Sequence, residues 1–412
     1  MPRESPVPHR VVITGIGVVS AIGTGVAQFL AGIGAGRSGA KPITSFDTAG
    51  FPHAIGCEVD DFEPADWITY ADPAELGRAS QFSVAAAKMS VADAGLPVDV
   101  LRQRRVLVSV GSTDGESRDL DTLTAVQVDR GFAALDARTA RRTAAGRLSS
   151  GVVRELGLSD VEAVTIPTAC AAGNYAIGNG YDALRAGEVD AALCGGADAV
   201  CRKTFAGFYR LGTIAPEACQ PFDRDRKGIL VGEGAGMLFM ETLPAALARG
   251  ARIYAEVLGY ALNCDASHPV APDQDSLVRC IALAHRHAGI KPEDVDFISA
   301  HGTGTAANDV TEVGAIRRVF AEPPPTISIK GMLGHTMGAA SALATAACAL
   351  AIRNQFIPPT INHHATDPAC AVDCVPNRAR AARVDVVQNN ALAFAGNNAV
   401  LVLGRHRDGP GR

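Results

Sequence analysis

Three short stretches carry side chains able to do chemistry. In VTIPTACAAGNYAIGNGYDAL, Cys170 stands where an apolar strand gives way to a helix of small residues. Thr168, Ala169, Ala171, Ala172 and Gly173 permit a tight turn and close approach of a substrate. A thiol at a helix N-terminus feels the positive end of the helix dipole, which favours thiolate, the nucleophilic form. The first N–H groups of that helix are unpaired and suited to holding an oxyanion. A buried structural thiol is the alternative, as for Cys194 and Cys348. The second stretch, HGTGTAAND, puts His301 at a strand end. There Gly302 and Gly304 keep the backbone open, and Thr303 and Thr305 offer hydroxyls to a polar ligand. The third, SIKGMLGHTMGAASA, holds Lys330 and His335 in a glycine-bracketed turn before an apolar helix. One thiol and two imidazoles make a nucleophile with two hydrogen-bond donors. Glu312, one helical stretch after His301, is placed to pair with Lys330.

These residues need a scaffold that brings distant turns together. Apolar strands alternate with alanine-rich helices, the α/β pattern of strands buried on both faces. RVVITGI, RVLVSVG, AVTIPTA, DAALCGGA, GAGMLFMET, DFISAHG, TISIKG and ALAFAGNNAVLVLG read as strands. SQFSVAAAKMSVADAG, GNYAIGNGYDALRAG, DSLVRCIALAHRHAG and NDVTEVGAIRRVF read as helices, and AASALATAACALAIR as a fully buried one. A faint internal echo joins AVTIPTAC–helix–DAALCGGAD to DFISAHG–helix–TISIKGMLGH. Two such halves packed together would bring Cys170 and His301 to one place, because ligands gather beyond the carboxyl ends of strands. The polar segment from GSTDGE to TAAG reads as a helical excursion covering a pocket or a subunit contact.

Composition narrows the classes. The 412 residues are 47% hydrophobic, enough for a large core, and the formal net charge is -5. That balance argues against nucleic acid as a partner. The opening stretch lacks the cationic region and cleavage site of a signal peptide. The most apolar run is too short to span a bilayer. Ten scattered cysteines in a long chain fit a reducing cytoplasm better than a disulfide framework. His363, His364, Cys370 and Cys374 in HHATDPACAVDC are zinc-ligand types, but their spacing is wider than a CxxC knuckle, and a loop with incidental thiols is expected. GSTDGE and GEGAG lack the endings and spacing of nucleotide loops.

Taken together, TACAAG, PFDRDRKGILVGEGAGMLFME, HGTGTAAND, KGMLGHTMGAAS and AFAGNNAVLVL resemble the elongating β-ketoacyl-acyl-carrier-protein synthases, in family order from about Arg10 to Gly404. The resemblance implies a thiolase fold: two similar βαβ-type halves, residues 10–257 with the nucleophile and 258–406 with both histidines, in a five-layer α-β-α-β-α sandwich. It implies that Cys170 takes the acyl chain as a thioester. His301 and His335 would stabilise the enolate formed when malonyl-carrier protein loses carbon dioxide, and Lys330 with Glu312 would orient them. Thr303 and Thr305 would meet the phosphopantetheine arm. Phe394 matches the gate residue of the family's C-terminal loop, its N–H completing an oxyanion hole with that of Cys170. No metal or redox cofactor is implied, since the carrier protein brings the arm. Partners would be acyl carrier protein and a second subunit, identical or chain-length-factor-like, paired through the strand before Cys170. Arg202, Lys203, Arg210, Arg224, Arg226 and Lys227 are candidates to dock the acidic carrier. Thiolases carry a second cysteine in the C-terminal loop, initiating synthases an Asn in place of the second His, and chain-length factors no nucleophile; this chain resembles none of the three. It departs from the elongating pattern at Ala171-Ala172, usually Ser-Ser, at Ala395, usually Gly, and at Asn397-Asn398, commonly Thr-Asn.

Overall fold

The computed structural model describes residues 9–407; the opening MPRESPVP lies outside them. Ten strands form the main sheet: β1 (Val11–Ser20), β2 (Val106–Gly111), β3 (Val161–Ile166), β4 (Ala191–Asp198), β5 (Gly234–Thr242), β6 (Ala255–Cys264), β7 (Phe297–Ser299), β8 (Thr326–Ile327), β9 (Val386–Leu392) and β10 (Asn397–Gly404). Their spatial order is β8-β7-β9-β10-β6-β1-β5-β4-β2-β3. The order is palindromic: β1 to β5 on one side match β6 to β10 on the other. The strand senses match too. β2 runs parallel to β3 and β4, and β7 runs parallel to β8 and β9. The remaining joints are antiparallel, including the central one between β1 and β6.

The principal helices, in chain order, are α1 (Arg78–Asp93), α2 (Ser117–Arg130), α3 (Arg147–Leu156), α4 (Ala172–Arg185), α5 (Arg202–Arg210), α6 (Gln274–Ala288), α7 (Ala306–Val319) and α8 (Ala340–Asn354). α1 and α3 cover one half-sheet, α6 and α7 the other, and α4 and α8 pack against each other between them. This is the five-layer thiolase sandwich. Helix α8 is buried at every residue from Ala340 to Ile352, as its small and mostly apolar composition allows. Small residues set the layer spacing. A Cβ at Gly17 would lie 1.8 Å from the Ala86 carbonyl oxygen, so only glycine lets α1 sit on β1.

Three readings need correction. ALAFAGNNAVLVLG is not one strand: it breaks at Phe394–Gly396 into the antiparallel pair β9 and β10. Ala395, at φ 65° and ψ 9°, turns the chain there. Strand β6 and helices α3 and α5 were missed, although both helices carry an apolar face at helical spacing. The echo also matches differently. Cys170 follows β3, whose counterpart β8 leads to His335, while His301 follows β7, the counterpart of β2. The backbone agrees: Thr168 (φ -100°, ψ 37°) precedes Ala169 at φ 50°, and Thr336 (φ -85°, ψ 31°) precedes Met337 at φ 49°. The excursion after β2 is helical as expected, with α2, a 3-10 turn and a short helix at Ala137–Arg142; Val128 and Phe132 in it are 84% and 80% exposed. No helix among the described residues is long and apolar enough to cross a membrane.

Candidate active site

Cys170 sits in a 3-10 turn, Ala169–Ala171, that runs into α4. Ala169 is held in the left-handed region, which costs an L-residue about 1–2 kcal/mol. The tight turn is possible because Gly111, at the end of β2, lets the start of α4 approach: a Cβ there would lie 2.2 Å from the Ala172 carbonyl carbon. The ligand atoms of Cys170, His301 and His335 all lie within 4.8 Å of one another, although the residues are far apart in the chain. The two imidazoles meet edge to face, centroids 5.4 Å apart and planes at 79°.

Their protonation follows from burial and one cation. Burial, then the Lys330 ammonium, hold His301 and His335 well below the ordinary histidine range, so both rings are neutral. The Met337 N–H donates to His335 Nδ1 at 3.2 Å, which leaves the ring proton on Nε2, facing away from that turn. Burial pushes the Cys170 thiol up to about 12, against the opposing pull of Lys330 and of the Phe394 and Cys170 N–H groups, which lie against the sulfur. The expectation that the helix terminus favours thiolate is therefore outweighed: the resting sulfur carries its proton.

Lys330 and Glu312 do not form the direct ion pair expected of them. They grip opposite ends of the His301 peptide instead. Lys330 Nζ donates to the His301 carbonyl at 2.5 Å, and Glu312 accepts the His301 and Gly302 N–H groups at 2.8 Å each. Burial lowers the Lys330 ammonium, with Glu312 opposing, and burial raises the Glu312 carboxyl. Asn390 Nδ2 donates to Glu312 at 3.0 Å. Sequence reasoning missed Asn390, which sits in the fully buried strand β9. It also missed Asp198, fully buried at the end of β4. Asp198 accepts from the Ser112 hydroxyl at 2.6 Å, from the Thr113 and Asp114 N–H groups, and from Gly338 N–H at 2.6 Å, tying the turn after β2 to the turn after His335. An aspartate closing a buried strand was the available signal.

A cavity of about 340 Å³ opens onto these groups. Cys170, His301, His335, Thr303, Thr305 and Phe394 all line it. The Thr303 and Thr305 hydroxyls are 2.9 Å apart. Phe394 packs on Phe208 of α5, centroids 5.2 Å apart, a partner no spacing in the sequence revealed. The rest of the wall is mixed, with Ile229, Val270 and Leu392 beside Arg226 and Lys227.

Two other sequence-derived sets fare differently. His363 contacts the Thr366 hydroxyl at 3.0 Å, and the Cys170 set is the one metal-ligand grouping among the described residues, so the HHATDPACAVDC residues do not converge. The basic set is divided. Arg226 has only 5% of its side chain exposed and pairs with Asp367. Lys203 binds Asp114 at 2.7 Å, and Arg202 lies over the Phe51 ring. Arg202, Lys203, Arg210, Arg224 and Lys227 are all exposed, Arg224 lying 3.8 Å from Asp225.

Comparison with known proteins shows the family. Residues 9–246 match the beta-ketoacyl synthase N-terminal domain and residues 254–364 the C-terminal domain. The chain is 35% identical over 410 residues to 3-oxoacyl-[acyl-carrier-protein] synthase 2 of Synechocystis sp., covering 97% of this chain and 98% of that one. It is 38% identical over 416 residues to nodulation protein E of Rhizobium sp., covering 96% and 99%. Among solved structures, the ishigamide ketosynthase/chain length factor superposes with a TM-score of 0.96 at 58% identity, covering 97% of this chain and 100% of that one. The ketosynthase in complex with the type II PKS acyl-carrier protein, AntDE:AntF, superposes at 0.89 and 30% identity, covering 97% and 100%. With both family domains matched in order and a thiol and two imidazoles gathered at one cavity, the chain belongs to the β-ketoacyl synthase family.

Proposed function

We propose that this enzyme joins an acyl chain to malonyl-acyl carrier protein by decarboxylative Claisen condensation. The observation that carries the reading is the convergence of Cys170, His301 and His335 at a cavity lined by Thr303 and Thr305. In the first half-reaction the Cys170 sulfur bonds to the acyl carbon, the arm's C–S bond breaks, and the arm leaves as a thiol carrying the proton from Cys170. In the second, the malonyl C–C bond breaks and carbon dioxide departs. The resulting enolate oxygen is held by N–H donors of His301 and His335; a preorganised donor in a water-poor site is worth roughly 3–4 kcal/mol. The enolate carbon attacks the acyl-Cys170 carbonyl, whose oxygen is held by the Cys170 and Phe394 N–H groups. The C–S bond then breaks and the sulfur takes a proton from water, balancing the negative charge that the malonyl carboxylate brought. Lys330 and Glu312 hold His301 in place. Thr303 and Thr305 meet the arm, which arrives on the carrier protein and replaces any resident cofactor.

Residues 10–257 supply the thiol and 258–406 both imidazoles, and we treat them as one working unit. A second subunit, another copy or a chain-length-factor-like partner, fits the edge strand β3 and the exposed apolar residues of the excursion. Ten free thiols fit a reducing cytoplasm. With Arg226 internal, Arg202, Lys203, Arg210, Arg224 and Lys227 are the exposed cations offered to an acidic carrier. The test is condensation of acyl- and malonyl-carrier protein in vitro, with Cys170→Ala as control. A Cys170→Ala protein that condenses as fast as the parent rejects the reading.

A further inference from the structure

The segment Cys219–Gly228, which contains PFDRDRKG, does more than connect two strands. It cradles the loop that carries Thr303 and Thr305. Five consecutive carbonyls of that loop each meet a donor. His301 is taken by Lys330 Nζ and Gly302 by the Ser328 hydroxyl at 2.7 Å. Thr303 is met by the Cys219 thiol at 3.3 Å, Gly304 by the Gly228 N–H at 2.9 Å, and Thr305 by Arg226 Nε at 3.4 Å. Three of the five donors come from this one segment. One buried carboxylate joins the segment to the loop. Asp309, fully buried, accepts the Gly304 N–H at 3.2 Å and the Phe222 N–H at 2.9 Å. Phe222 is itself held at φ 63° with its ring fully buried, a conformation that persists only where neighbours enforce it.

Arg226 is the hub of this brace. Its Nη1 donates to the Asp223 carbonyl at 2.8 Å and to Asp367 at 2.5 Å, and its Nε lies 3.7 Å from Asp309. Its side chain is nearly buried yet lines the cavity. We propose that Arg226 is a positioning residue for the arm-borne substrates, fixing the Gly304–Thr305 backbone and so the two hydroxyls that receive the arm. The proposal rests on the condensing function above. A planar fork with several donors meets two carboxylates and two carbonyls together; an ammonium cannot do so with the same geometry.

The experiment is steady-state condensation with Arg226→Met, Arg226→Lys and the charge-balanced Arg226→Met/Asp309→Asn, each with its melting temperature. Iodoacetamide alkylation of Cys170, which uses no arm, reports whether the site is assembled. Expected for Arg226→Met is a KM for malonyl-carrier protein raised about tenfold, with kcat changed much less, and an intermediate KM for Arg226→Lys. The double variant no longer buries an unbalanced carboxylate at position 309, so it regains melting temperature while its KM stays high. A KM that returns to the parent value together with stability reduces Arg226 to a structural role. So does a parental KM in Arg226→Met. If Arg226→Met does not fold, the double variant and Arg226→Lys decide in the same way. Condensation by Cys170→Ala would remove the underlying function instead, so the two failures are distinguishable.

Discussion

Replacing Lys330 with methionine tests whether one buried cation sets the chemistry of three neighbours. Lys330 is 6% exposed and lies among Cys170, His301 and His335. Its charge pulls the Cys170 thiol down from where burial alone would leave it, and the net position is about 12. At pH 8 such a thiol is ionised to about one part in ten thousand. A unit charge acts with about 2–4 kcal/mol over roughly 4–8 Å at an effective dielectric constant of about 20. Glu312 remains behind and cancels part of that in the parent, so one to two pKa units are at stake. Lys330→Met should therefore slow iodoacetamide alkylation of Cys170 by about 10- to 100-fold at pH 8, since only thiolate reacts. The same change releases the histidines from a repelling charge. Their pKa values rise toward the ordinary range, and the acidic limb of the malonyl decarboxylation profile moves to higher pH. An alkylation rate within twofold of the parent, in a variant with an unchanged melting temperature, would show that burial keeps Lys330 neutral and would refute the electrostatic account.

Four further outcomes follow from the geometry. His335→Ala should lower malonyl decarboxylation by about 10²–10³-fold, the loss typical of one preorganised donor, measured by carbon dioxide release. Thr303→Val should raise KM for carrier-borne substrates about two- to tenfold, as one hydrogen bond is lost. Glu116, buried against the N-terminus of α1, is pushed up to about 7, mainly by burial. The unfolded chain ionises it near its ordinary value, so its stability cost is absent at acidic pH, grows as pH rises and is complete above about 7, where it amounts to about 3 kcal/mol. Glu116→Gln should thus gain stability relative to the parent between pH 5 and pH 8, read by denaturant unfolding. Zinc ion, finding one sulfur and two neutral imidazoles within tetrahedral reach, should inhibit the enzyme, protect Cys170 from alkylation and be reversed by chelator.

Much of this was legible in the sequence because glycine and alanine punctuate it sharply. The turns at Cys170, His301 and His335 each stand between an apolar run and a small-residue helix, so the reactive residues and the long elements could be placed together. What escaped depended on packing across the layers. Asn390 and Asp198 are polar residues in buried strands, and nothing local shows that one supports Glu312 while the other accepts four hydrogen bonds. Phe208 meets Phe394 only because α5 folds over the cavity mouth. The ionisation of Cys170 was misjudged because a helix end is visible in sequence and the depth of its burial is not. Arg226 looked like surface charge beside Arg224 and Lys227, and only the carboxylates of Asp309 and Asp367, far away in the chain, reveal that it is internal.

The palindromic sheet has a consequence for ancestry. Ala169 and Met337 bend the chain alike at mirrored places, yet one bend presents sulfur and the other follows an imidazole. Matched backbone bearing unmatched chemistry is what a doubled gene leaves once its copies diverge. A half-length forebear would have had to pair with itself to build the same floor, and each of its two bends would have offered the same group. Because the two bends differ in sequence, one half supplies the sulfur and the other the imidazoles, a division that two identical halves could not make.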